Sequence, residues 1–203
     1  MNRRGTTVAT IAVCGLLLAG CTGERGSASP APSTANSTAA ALPHDGAPKV
    51  GTPLAATVLD ASPCDTGLTA EQVSTFLGDA TPGKLSDSQL GPICNWSSNS
   101  GSGAGIAVSY QTKSDQGISL AYQNVQPKAA RWTPLAPIQG FPAVAYANTN
   151  DKRACVIVVG VTDELAYSMG LTLGDKAAGE GKDCFDVAPE VADAVLTNLK
   201  ARA

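Results

Sequence analysis

Histidine is nearly absent from this chain: His44 is the single one in 203 residues. It falls in a stretch rich in small residues and proline that reads as linker, so the segment beyond it has no imidazole. Ser-His-Asp and Cys-His catalysis need that ring beside the nucleophile and are excluded there. Ala166-Tyr-Ser-Met-Gly170 faintly resembles a nucleophile elbow but has no base and reads as a strand, and no S-x-x-K pair is present. The cysteines lack the C-x₂₋₄-C spacing of zinc sites and the C-x-x-C spacing of reactive pairs. Gly101-Ser-Gly-Ala-Gly105 precedes a strand, whereas a phosphate cradle needs a helix N-terminus, so it is expected to be a hairpin loop. Asn148-Thr-Asn150-Asp151 lacks the glycine and closing glutamate of a calcium loop. No metal and no cofactor are expected.

Aromatic residues are also scarce, at 4 %. Trp96, two positions after Cys94, reads as a core residue packed on a disulfide, and Phe141 in Gly140-Phe-Pro142 as a packed turn. Trp132, between Arg131 and Thr133 and close to two prolines, is the candidate ligand or partner contact. Carboxylates acting as general acid and base remain an alternative. Glu71, Glu190, Asp183 and Asp186 each suit a helix start, however, and Glu164 a turn, so an enzyme is not the expectation.

Long apolar runs are missing as well. Val8 to Ala19 is about twelve residues, against roughly 20 for a membrane span. With the basic head Arg3-Arg4 before it and Leu18-Ala19-Gly20-Cys21 after it, this run reads as an export signal with a lipoprotein cleavage site. Residues 1–20 are the expected signal peptide, and Cys21 the expected lipidated N-terminus, carrying palmitate-type chains. Two such chains suffice for stable anchoring, each buried CH₂ contributing about 0.8 kcal/mol. The expected location is the extracytoplasmic face of the cell membrane, with the lipid on Cys21 as the membrane contact. Without Arg3 and Arg4, 12 basic residues face 17 acidic ones, a net charge of −5. That balance argues against nucleic acid as a partner, because phosphate neutralisation needs clustered cations.

Residues 21–60 are expected to be the lipidated cysteine and a disordered linker, since Gly26 to Ala39 offers no large apolar side chain to offset ordering entropy. Residues 61–203 are expected to be a single domain. Thr69-Ala-Glu-Gln72 is a capping box before Val73, Phe76 and Leu77, with Gly78 as the stop. Ile106–Tyr110 alternates as a strand, Ile118–Val125 reads as helical, and Phe141–Tyr146 as a turn followed by a strand. Cys155–Val159 is nearly all apolar and β-branched, a central strand that Ala166–Leu173 rejoins as a hairpin. The last helix is expected to be capped by Asp186, with Pro189 in its first turn and a stripe of Val187, Val191, Ala194, Val195 and Leu199. The fold class is α+β: an antiparallel sheet with N- and C-terminal helices packed on it.

Cys64, Cys94, Cys155 and Cys184 remain after Cys14 leaves with the signal and Cys21 is acylated. An even count in an exported chain implies disulfides. Three pairings exist. Cys64–Cys94 with Cys155–Cys184 is favoured, because both bridges are local and each would pin a helix to a strand.

Five motifs in order carry a resemblance: Ser62-Pro-Cys64-Asp with its Leu-Thr-Ala-Glu-Gln-Val helix, Cys94-Asn-Trp96, Gly140-Phe-Pro-Ala-Val144, Cys155-Val-Ile-Val-Val, and Asp183-Cys184 opening the terminal helix. Together they resemble the actinobacterial lipoprotein family called domain of unknown function 3558. The resemblance implies an envelope lipoprotein with paired cysteines and no assigned activity. The expected function is a non-enzymatic binding or interaction module whose partner is an envelope protein or a small ligand. A lipid or glycan carrier is the alternative.

Overall fold

Alternation in the strands sorts the side chains of one seven-stranded antiparallel sheet onto two unlike faces. The computed structural model describes residues 41–203; residues 1–40, with the signal peptide, Cys21 and most of the expected linker, lie outside them. A 3-10 turn at Ala56–Leu59 is followed by α1 (Pro63–Thr66), α2 (Ala70–Leu77), β1 (Lys84–Asp87), β2 (Pro92–Ser97) and β3 (Gly105–Tyr110). Then come α3 (Ser119–Asn124), β4 (Arg131–Pro134), β5 (Ala143–Ala147), β6 (Ala154–Gly160), β7 (Ala166–Thr172), α4 (Asp175–Gly179) and α5 (Cys184–Lys200). The strand order is β1-β2-β3-β7-β6-β5-β4. The architecture is α+β.

On the core face, Cys94, Val108, Met169, Ile157 and Ala145 lie in one cross-strand row, and Trp96, Ile106, Leu171 and Cys155 in the next. All are buried. Against them α5 buries Ala188, Val191, Ala192, Val195, Leu196 and Leu199. Burying each Val or Leu contributes about 1.5–3 kcal/mol. The expected stripe is therefore rotated: Val187 and Ala194 sit at its margin, while Ala188, Ala192 and Leu196 face the sheet. The Tyr167 hydroxyl donates to the Ala192 carbonyl at 2.7 Å, fixing α5 on β7.

The capping box forms as expected, with Gln72 N–H donating to Thr69 Oγ1 and Thr69 N–H to Gln72 Oε1. Gly78 ends α2 at a φ of 73°, where a side chain would be strained. Asn198 of α5 donates to Gln72 Oε1 and to the Gly67 carbonyl, so the cap also holds the two helices together.

Both favoured disulfides are present: Cys64–Cys94 joins α1 to β2, and Cys155–Cys184 joins β6 to α5. They close separations of 30 and 29 residues, each worth roughly 3.5 kcal/mol in the chain-entropy model.

Two further expectations are corrected. The packed chain starts before residue 61. Val50, Val58 and Leu59 are buried in the core, Leu54 N–H donates to Val161 C=O at 3.0 Å, and Val50 N–H donates to Asp163 Oδ1 at 2.9 Å. These apolar residues are spaced by Gly and Pro without a helical or strand period, so only tertiary contacts mark them as core. The cap of the last helix is Asp183, not Asp186. Asp183 Oδ1 accepts from Phe185 N–H, the helix opens at Cys184, and Pro189 lies inside the helix, past its first turn. The disulfide at Cys184 and the ion pair of Asp183 with Arg131 set this earlier start.

Candidate functional site

The face of the sheet opposite the core is only half covered. α3 lies over one part, packing Ile118, Ala121 and Tyr122 against Val144, Val158 and Ala166. The rest is a trough of about 460 Å³, within the roughly 300–1,000 Å³ typical of small-molecule sites. One cross-strand row forms its floor and end: Asn95, Ala107, Gly170, Val156 and Tyr146, continued by Trp132. A second row brings Ser97, Gly105, Thr172 and Ala154 alongside. Small side chains in the middle strands and larger ones at the margin make the depression.

Gly170 sits at the centre of that floor. A Cβ there would meet its nearest neighbours, Ala107 Cβ and Val156 Cγ2, at 3.8 and 3.9 Å, an ordinary contact. Neither packing nor backbone conformation requires glycine here, although glycine weakens a strand interior and often marks close approach of a ligand. Gly83 is the opposite case. Its chain crosses the Cys64–Cys94 bridge, and a Cβ would lie 2.6 Å from Cys94 Sγ and 2.7 Å from Trp96 Nε1. Gly83 borders a second depression of about 430 Å³ between α2 and Trp96.

No described residue lining the trough is charged. Asn95 Nδ2 donates to Ser86 Oγ at 3.2 Å. The side-chain polar groups of Ser97, Tyr146, Asn148, Thr149 and Thr172 make no hydrogen bond to other described residues. Burial raises the Tyr146 pKa, so its hydroxyl stays protonated across the physiological range.

Trp132, the candidate contact residue, is half-buried on the same face. Tyr122 meets it edge-on at 5.0 Å between ring centroids, and Tyr146 stacks on it at 6.4 Å. It therefore backs Tyr146, the aromatic residue that lines the trough. The alternating small residues on β3, β6 and β7 were the signal that could have pointed to this surface. Trp96 packs in the core beside the Cys64–Cys94 bridge, and Phe141 is a buried turn residue.

His44 lies in the packed region, a correction to its placement in a linker. Its main-chain N–H donates to Ser119 Oγ at 3.1 Å, and its Nδ1 is 2.8 Å from Asp45 Oδ2. Serine, histidine and carboxylate are thus neighbours. Ser119, however, meets the main chain of His44 and not its ring, and it is fully buried at the start of α3, so these three groups are not aligned as a nucleophile and its base among the described residues.

The carboxylates named as acid–base candidates are dispersed. Asp183 is held below the usual carboxylate range by Arg131, whose Nη2 donates to it at 2.6 Å. Glu164 accepts from Thr162 Oγ1 at 2.9 Å, and Glu71 lies in the first turn of α2. None lines the trough. Among the described residues, no group of three or more His, Cys, Asp and Glu is placed to hold a metal ion. No helix among them is long and apolar enough to cross a membrane.

The model of a family described as protein of unknown function (DUF3558) matches residues 16–198. The chain belongs to that family. No curated protein and no solved structure matches this DUF3558 chain. The motifs that carry the resemblance map onto the sheet and its core-face helix: Cys94-Asn95-Trp96 lies in β2, Cys155–Val159 in β6, and Asp183-Cys184 caps and opens α5.

Proposed function

We propose that this DUF3558 chain is a lipid-anchored, extracytoplasmic, non-enzymatic binding module whose binding surface is the trough over β2, β3, β7, β6 and β5. The observation that carries the binding role is Gly170: the floor of the trough omits a side chain that the fold has room to hold. The lining supports recognition rather than chemistry, with amides, hydroxyls and one phenol around small apolar residues. Anchoring rests on the Leu18-Ala19-Gly20-Cys21 motif after a short apolar run, and the disulfides Cys64–Cys94 and Cys155–Cys184 suit an exported chain.

Two measurements test the two halves. Mass spectrometry of the mature protein is expected to find a chain beginning at Cys21 with acyl groups attached, and Cys21→Ala is expected to move it from the membrane fraction to the soluble one. An intact Met1 terminus, or a membrane fraction unchanged by the substitution, overturns the anchor. For the binding role, the detergent-solubilised full chain is expected to retain an envelope component that Gly170→Val releases; equal retention by the variant overturns the trough as the surface.

A further inference from the structure

Resting on that reading, we propose that the trough takes an uncharged oligosaccharide segment, laid over Gly170 with one end against Tyr146.

Charge makes the first selection. The chain from Cys21 onward carries a net charge of −5, yet no acidic or basic side chain of the described residues lines this depression. A phosphate, uronate or ammonium ligand would find no opposite charge among these lining residues.

Polarity makes the second. Ser97, Tyr146, Asn148, Thr149 and Thr172 surround the floor with side-chain groups that no other described residue uses. A saccharide presents many hydroxyls, each donor and acceptor, that match hydroxyl and amide partners of this kind. An acyl chain would leave all of these groups facing hydrocarbon, and an apolar ligand needs enclosing walls. The only aliphatic side chain larger than alanine on the floor is Val156, and the trough opens to solvent.

Shape makes the third. Gly170, Ala107 and Ala154 keep the floor low across three strands, so the flat apolar face of a sugar ring can approach the backbone. Tyr146 closes the row, its ring held by Trp132, giving an aromatic surface together with a hydroxyl that no described residue hydrogen-bonds. The phenol is neutral at physiological pH and burial moves its pKa further from that range, so it can donate there.

The test is titration of the full chain in detergent micelles with a panel of uncharged gluco-, manno- and galacto-oligosaccharides, read by amide chemical shifts and calorimetry. At least one series is expected to bind and to shift the amides of Ala107, Val156, Gly170 and Thr172. Gly170→Val is expected to weaken binding more than about tenfold by filling the floor. Tyr146→Phe keeps the ring stack and removes one hydrogen bond, with an expected loss of about fivefold. Should Gly170→Val fail to fold, Tyr146→Phe carries the test.

Uronic-acid oligosaccharides, fatty acid, and a neutral glycolipid dispersed in the same micelles are the competing probes. Stronger binding of either charged or acyl probe overturns the saccharide assignment, as do shifts of the trough amides caused by the glycolipid alone. If no saccharide binds while an envelope component is still retained by the native chain and released by Gly170→Val, the saccharide proposal fails and the binding-module reading stands. If the component is retained equally by that variant, the binding surface itself is wrong.

Discussion

The two faces of one sheet have received opposite treatment. On the core face, side chains of adjacent rows interlock under α5, and a disulfide holds each flank. On the other face, α3 covers one part and the remainder is left open, floored by glycine and alanine. The difference separates residues the fold needs from residues it merely permits. Gly83 and Gly170 show this most directly: a methyl group at the first collides with a disulfide sulfur and an indole, while at the second it meets only van der Waals neighbours.

Breaking the core face is expected to have the largest effect. Replacing Cys155 and Cys184 together by alanine should cost about 2–5 kcal/mol, seen as a lowered midpoint in denaturant. An unchanged midpoint would mean that the bridge adds nothing to the packing of α5 on β6. Gly83→Ala comes next, at about 1–3 kcal/mol of destabilisation from overpacking, measured in the same way. No loss there would remove half of the contrast with Gly170.

Asp183→Ala removes a helix cap and the Arg131 partner together, with an expected cost of about 1–2 kcal/mol. Its pH dependence has a definite sign. The carboxyl is depressed in the folded state, so its contribution is complete above the unfolded value of about 3.9 and fades as pH falls through the lower folded one. Wild type and variant should therefore converge in stability only under strong acid; convergence already near neutral pH would contradict the pairing. Alkali acts on the core face through tyrosines. Burial pushes Tyr110 up to about 12 and raises Tyr167 well above its ordinary value. The stability they contribute is present below about pH 10 and declines as pH rises toward the folded values, which denaturation at stepped alkaline pH measures.

The smallest expected effect sharpens the comparison from the open face. Gly170→Ala should stabilise the protein by roughly 0.5–1 kcal/mol, because alanine loses less backbone entropy than glycine in a strand. A loss of stability of that size would show that the fold does need this glycine.

Much of the core face was legible in the chain because local chemistry announces it. The capping box at Thr69 and Gln72 names a helix start by hydrogen bonds within four residues, and Cys155–Val159 names a buried strand by composition. The trough was not legible. Its floor combines Asn95, Ala107, Gly170, Val156 and Tyr146 from five strands, which become one row only through pairing register. Trp132 drew attention as an isolated aromatic, yet its neighbours Tyr122 and Tyr146 come from α3 and β5. The segment around Val50 and Leu59 was missed for a related reason: a few apolar residues separated by Gly and Pro carry no period, and their burial depends on partners such as Val161 and Asp163.

The sequence by itself determined the family, the α+β class and the local pairing of cysteines, because each rests on residues close in the chain or on composition. Only the tertiary structure decided where the packed region begins, that Asp183 caps α5, and that the open face forms a neutral trough over Gly170. Those depend on strand register and on contacts between distant segments, and neither leaves a periodic mark in the order of residues.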